Sequence, residues 1–296
     1  MKGNKQRIST GMKIFNVFNI AIMILVALCT LYPMVHVLFA SLSNGNELLS
    51  HTGLLIKPLD FTLSGYKMVF KDPMIVKGYA NTLFVVVIGT VISVVLTAMG
   101  AYVLSRRDAM LQKPFMIFIL FTMFFSGGMI PFYFTVRGLG MYNSLWSLIW
   151  PTAINTFNLI IMRTGFETIP ESLKESATID GAGHFRVLFS IVIPLAMPTI
   201  AVIVLYYAVE KWNAWFHASL FIQDRSKYPL QLVLRGILLS NDTAAMTGGT
   251  STIDQESVSE SVKYGVIMVA TLPILALYPF LQKYFVKGVM VGAVKG

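Results

Sequence analysis

Glu171–Pro194 reads ESLKESATIDGAGHFRVLFSIVIP, a charged, helix-forming stretch set between two oily segments. Thr168-Ile169-Pro170-Glu171 has the form of a helix start, with Thr168 as the cap, Pro170 in the first turn and Glu171 three residues after the cap. The spacing predicts a helix running to Asp180, where Gly181 and Gly183 permit a sharp turn. A second helix then leads from about His184 towards Pro194. Glu171 and Glu175 stand four apart and share a helix face, where like charges repel mildly. Lys174 relieves part of this, and the other side carries Leu173, Ser176 and Ala177. As physics alone, this pattern fits a solvated surface helix. It also fits a helix that enters a groove with a basic rim.

The flanking sequence decides the setting. The chain has 296 residues, 55% hydrophobic and 12% charged, with a mean hydropathy of +0.69. Soluble domains carry about 25% charged residues, so this composition is that of a polytopic membrane protein. Six segments are long and apolar enough to cross about 30 Å of hydrocarbon: residues 14–42, 79–104, 115–136, 143–164, 188–210 and 263–282. The first follows a basic start, but its apolar run exceeds a signal-peptide core of about 7–15 residues and has no clear cleavage site after it. It reads as a retained anchor. The expectation is therefore an all-α bundle of six transmembrane helices.

Lys and Arg in the short connections set the orientation. With the N-terminus inside, the inner segments hold Lys2, Lys5, Arg7, Lys13, Arg106, Arg107, Lys113, Arg163, Lys174, Arg186, Lys283, Lys287 and Lys295. Only five acids accompany them: Asp108, Glu167, Glu171, Glu175 and Asp180. Both termini are expected on the cytoplasmic side of the cell membrane. Most of the +9 net charge is then a topology signal, not a nucleic-acid surface.

Several chemistries find no residues to carry them. The lone Cys29 offers no disulfide framework, and His36, His51, His184 and His217 fit no metal-ligand spacing. No GxxxxGK phosphate loop is present. The span interiors offer no ionisable groups for a proton or ion relay, with Glu210 and Arg163 read as lying near span ends. No nucleophile, metal cluster or acid–base pair suggests a membrane enzyme. Pro and Gly interrupt the spans at Ser126-Gly127-Gly128, Pro131, Pro151, Pro194, Pro198, Pro273 and Pro279. Irregular backbone at membrane depth is tolerated where it is buried or lines a wet cavity, although Pro and Gly are common in membrane helices generally.

Glu175-Ser176-Ala177, then Thr178-Ile179-Asp180, then Gly181-Ala182, ending in Ile191-Val192-Ile193-Pro194, resembles the EAA loop of permease subunits of ATP-binding-cassette importers. Ser176 and Ile193 depart from the commonest letters of that pattern. Gly127-Gly128-Met129-Ile130-Pro131, Gly138-Leu139-Gly140, Asn143-Ser144-Leu145-Trp146 and Trp212-Asn213-Ala214-Trp215 look like carbohydrate-uptake permeases of this superfamily, as does the ending from Gln282. These cover most of residues 75–296. The nearest likeness is to the type I, MalG-like branch with the Gram-positive oligosaccharide and lipoprotein-associated permeases.

The resemblance implies a translocation pore made with a second, homologous permease, energised by two ATPase subunits that hold the ATP and Mg, and supplied by an extracellular solute-binding (lipo)protein. No cofactor is implied in this chain. It implies that Glu171, Glu175, Ser176, Ala177, Asp180, Gly181, Ala182 and Lys295 contact the ATPase. It divides the chain into residues 1–75 (tail, first helix and first outer loop), a core of 76–282 with the coupling loop at 168–193, and a tail of 283–296. An oligosaccharide would be met by aromatic faces and amides, for which Asn81, Asn155, Asn158, Tyr206, Tyr207, Trp212, Asn213 and Trp215 are candidates. Asn155 and Asn158 are read as one polar face inside span four, which equally suits helix–helix hydrogen bonding. A permease for a non-sugar solute, or an ATP-independent secondary transporter, are the alternatives.

Overall fold

A computed structural model describes residues 10–106, 108–240 and 260–276. Every regular element among them is helical, as expected. The helices used below are α1 (Thr10–Ser41), α2 (Pro73–Ser105), α3 (Gln112–Phe124), α4 (Met129–Gly138), α5 (Thr156–Glu167), α6 (Glu171–Ile179), α7 (His184–Val187), α8 (Met197–Trp212), α9 (Trp215–Phe221) and α10 (Leu230–Ser240).

The described residues pack as two bodies. One holds α1 and the chain up to Lys71, with 260–269; the other holds Asp72–Ser240 and the residues from Ala270. In the first, Ser261 Oγ donates to the Ser43 carbonyl at 3.1 Å, and Ser41 and Tyr66 share a hydroxyl contact at 2.7 Å. In this body α1 runs 32 residues, and its apolar surface is almost wholly uncovered.

The second body is built around α2, a 33-residue helix whose first turn is capped by Asp72 and opens on Pro73. Small side chains (Ser93, Thr97, Ala98, Ala101) are buried along it. Without a hydrophobic force between helices in lipid, association rests on close packing and interhelical hydrogen bonds, and small residues permit the approach. Helices α5, α8 and α10 pack against α2. Between α2 and α8 lies Lys211, whose stem crosses Gly89. A Cβ there would stand 2.7 Å from Lys211 Cδ, so a larger residue would force the lysine stem aside. The Tyr207 hydroxyl, fully buried, shares a 2.7 Å hydrogen bond with Thr97 Oγ1 and accepts the Asn155 N–H at 2.9 Å. One phenol thus joins α2, α8 and the start of α5.

Among the described residues, only α1 and α2 are unbroken helices long and apolar enough to cross a membrane, covering the first two expected spans with earlier starts. Span three is instead the pair α3 and α4, bent by 113° at Phe125–Gly128. Gly128 takes φ +85°, open to glycine at no steric cost, and Pro131 falls in the first turn of α4, where its missing N–H leaves no bond unmade. Span five bends by 89° at Ala196, between Leu195 and Met197. Pro198 lacks the N–H that would bond to the Pro194 carbonyl, so the ladder breaks there. Span four is not a continuous helix. A 3₁₀ turn at Leu145–Leu148 gives way to non-helical chain, and α5 begins only at Thr156. The sixth expected span is helical over 260–276, and its remainder with Pro279 lies outside the described residues.

Two consequences are measurable. Tyr207→Phe leaves the buried Thr97 hydroxyl and Asn155 N–H without their partner, and should cost about 1–3 kcal/mol. Thermal unfolding of the purified chain in detergent reads it, and an unchanged midpoint would refute the knot. Gly165→Ala places a Cβ 2.6 Å from Thr199 Oγ1 across the α5–α8 contact. This overpacking should cost a similar ~1–3 kcal/mol, seen as a lowered midpoint in the same assay.

Candidate functional site

The expected hairpin is present. Helix α6 spans Glu171–Ile179, Asp180 is its C-cap, and Gly181 has φ +83°. The Gly181 N–H donates to the Thr178 carbonyl at 3.0 Å, and the Ala182 N–H to the Ala177 carbonyl at 2.9 Å. This pair of bonds is a Schellman motif, and it requires a left-handed residue four positions after the residue whose carbonyl closes the turn. The interval from Ala177 to Gly181 is therefore the interval of a helix stop. Ala177 and Ala182, the two ends of the longer bond, are half-buried against the core beneath.

The start of α6 differs from the sequence reading. Thr168 ends α5, its Oγ1 donating to the Gly165 carbonyl at 2.8 Å, and Pro170 occupies the N-cap position without a side-chain bond. The hydroxyl is consumed by the helix before it, so no capping box forms. Lys174 lies folded down with its side chain 7% exposed, its Nζ 3.4 Å from Glu171 Oε2. Glu171 thus has a partner while Glu175 and Asp180 stand in solvent. Ser176 is also exposed, its hydroxyl turned back to the Ser172 carbonyl. Beside these acids stand two large uncovered apolar side chains, Ile179 at 85% and Phe185 at 66% exposure. Lys295 lies outside the described residues.

Past the turn, α7 passes into a π-helical stretch, Leu188–Val192, where the Ile193 N–H bonds to the Leu188 carbonyl. Pro194 cannot donate to the Ser190 carbonyl, so a normal turn cannot close there. At the root of the hairpin, Arg106 at the end of α2 forks onto Asp108, and its Nη1 lies 2.5 Å from His184 Nδ1. The hydrogen bond from Arg106 holds the Asp108 carboxyl below the usual carboxylate range.

The substrate-path candidates do not form one surface. Asn81 donates its amide to the Ser226 and Tyr228 carbonyls at 2.9 and 3.1 Å, fastening that loop to α2. Asn155 does not lie inside a span helix. It is the N-cap of α5, accepting from the Phe157 and Asn158 N–H groups. Asn158 is buried at 3% exposure. Tyr207 is the buried knot already described, and Trp212 is buried edge-on to Tyr79 at 6.2 Å. Asn213 is exposed and returns its amide to the Val209 carbonyl at the end of α8. Trp215 lies under the Arg235 guanidinium, 3.9 Å from its ring centroid. Tyr206 is 37% exposed and stacks on exposed Phe157 at 6.5 Å.

Lys211, one residue past the expected end of span five, is buried. It is 2% exposed, with its Nζ 3.5 Å from Thr152 Oγ1 and 5.8 Å from the Tyr207 ring. Next to Glu210 in sequence it resembles a solvated helix end. Only Gly89, 122 positions earlier, makes room for it inside.

The family described as "Binding-protein-dependent transport system inner membrane component" matches residues 109–291. The chain is 43% identical to the polygalacturonan/rhamnogalacturonan transport system permease protein YtcP of Bacillus subtilis, across 96% of this chain and 99% of that one. It is 41% identical to protein LplC of the same organism, across 96% of both. Among solved structures, a chain of a bacterial ABC transporter involved in the import of the acidic polysaccharide alginate superposes with a TM-score of 0.86, at 33% identity, across 95% of this chain and all of that one. This protein belongs to the binding-protein-dependent transport system inner membrane components, and is a multi-pass permease component of an ATP-binding-cassette importer, not an enzyme.

Proposed function

We propose that this chain pairs with a second permease to form the path for an oligosaccharide delivered by an external binding protein, and that the 168–193 hairpin docks into an ATPase subunit holding ATP and Mg. The observation that carries this reading is the exposed hairpin. Uncovered Ile179 and Phe185 beside exposed Glu175 and Asp180 form an apolar knob with an acidic rim. Apolar anchors set in a pocket supply most of an interface's energy, and rim charges choose the partner. The Schellman stop makes the knob rigid, so it can transmit force.

In this reading both termini face the cytosol, residues 1–75 and 283–296 flank a 76–282 core, and residues of the tail, Lys295 among them, join the ATPase contact. The substrate class is an acidic oligosaccharide. YtcP is named for polygalacturonan and rhamnogalacturonan, and the alginate importer for an acidic polysaccharide. The Tyr206–Phe157 face supplies a ring surface for a sugar to stack on.

The hairpin variants separate docking from folding, because both apolar residues are exposed. Ile179→Ser with Phe185→Ser should leave the protein inserted and cut ATPase co-purification by about tenfold or more. Unchanged co-purification would end the docking reading. Glu175→Lys should abolish ATP-dependent uptake of an oligogalacturonide in vesicles that contain the whole complex. Tyr206→Ala should lower uptake several-fold with ATPase binding intact; normal uptake would remove that face from the path.

A further inference from the structure

Trp215, named from the sequence as a sugar contact, has one face covered. Helices α9 and α10 pack against each other, and the Arg235 guanidinium lies over the Trp215 ring with its Cζ 3.9 Å from the centroid. This is van der Waals contact between a cation and an indole, the aromatic side chain that attracts cations best. Arg106, Arg163, Lys174 and Lys227 each stand against an acid. Arg235 is exposed, and among the described residues it makes no ion pair and no hydrogen bond. An acid would neutralise a guanidinium and occupy its N–H groups. A ring holds it in place and does neither. The two helices therefore present a positioned cation with its donors unspent, and a planar fork of this kind takes a carboxylate through two parallel hydrogen bonds.

The position of the pair along α2 bears on which carboxylate it meets. The start of α10 is pinned to the first part of α2: the Leu230 N–H donates to Thr82 Oγ1 at 2.8 Å, and a Cβ on Gly78 would stand 3.2 Å from Leu230 Cα. The hairpin meets the other end of α2, at Leu104 and Arg106. The helix between Thr82 and Leu104 is continuous, and at 1.5 Å per residue it covers about 33 Å, close to the thickness of a bilayer's hydrocarbon core. With the hairpin on the ATPase, the Trp215–Arg235 pair is at the end where a solute from outside arrives. Beside it Phe216 is 46% exposed and edge-on to Trp215 at 5.6 Å. A galacturonide carries a carboxylate and an apolar C–H face on each ring, and the patch offers a partner to both.

We infer that Arg235, held by Trp215, is an entry subsite that binds the carboxylate of a uronate, with the sugar ring against Phe216. This rests on the oligosaccharide reading above and adds to it the group that selects acidic sugars over neutral ones.

The test titrates trigalacturonate, or its methyl ester, into the purified whole complex without binding protein and reads tryptophan fluorescence. Trigalacturonate should change the emission as its carboxylate engages Arg235, and Trp215→Phe should remove that change. The uncharged ester should bind about tenfold more weakly, as should trigalacturonate to Arg235→Gln. Arg235→Lys keeps the charge without the fork and should fall between. ATPase co-purification should be unchanged in these variants, because Arg235 is exposed and remote from the hairpin. Equal responses of the wild type to acid and ester, no response to either, or wild-type affinity in Arg235→Gln overturns the subsite. So does a Trp215 signal given by the binding protein alone and not by trigalacturonate, which would make the pair a protein contact. Wild-type vesicles that take up no oligogalacturonide end the oligosaccharide reading, whereas normal uptake with a silent Trp215 ends the Arg235 subsite alone.

Discussion

Close approach to α2 is the constraint on which the second body depends. Three helices cross it, and they reach it because its buried side chains are small and Gly89 is bare. That approach brings Tyr207 within a hydrogen bond of Thr97, and so fixes where α5 can begin. It also admits the stem of Lys211. The ammonium sits in a poor environment, with one long contact to a hydroxyl. Desolvating a charge costs several kcal/mol unless partners are supplied, so burying this side chain costs the bundle some of its own stability.

The same helix ends at the hairpin. Its last turn receives Arg163 and Gln112 at Leu104, and Arg106 at its C-cap meets His184. Both sides of the hairpin therefore meet α2, through side chains buried in one core and through the Arg106–His184 contact. The family's loop spacing acquires a physical meaning here. Ala177 and Gly181 are four apart because a helix stopped by a left-handed residue closes with that interval, and Ala182 closes the longer bond back to Ala177.

Much of this was legible from residue order. The hairpin could be read from Glu171, Asp180 and Gly181, since caps, charges and glycines act within a few residues. The first two spans were legible because hydrophobic runs of that length have one use in lipid. The sites of breakage were legible at Gly127-Gly128 and at Pro194 and Pro198, but not their angles, which depend on what the two half-helices pack against. Span four misled for a related reason. Its apolar run is long enough, but Asn155 draws the Phe157 and Asn158 N–H groups onto its own oxygen and starts a helix there. The Thr168 cap failed because the same hydroxyl could serve the helix before it or the one after, and the sequence favours neither.

By itself the sequence determined the class of the protein, its apolar segments and the position of its charged hairpin, because those rest on composition and on interactions between near neighbours. Only the tertiary structure decided that Tyr207 is a knot and not a sugar platform, that Lys211 is buried, and that Arg106 faces His184. Each of these joins residues from about 50 to more than 100 positions apart, and local patterns hold no information about which distant backbone will leave room for a side chain.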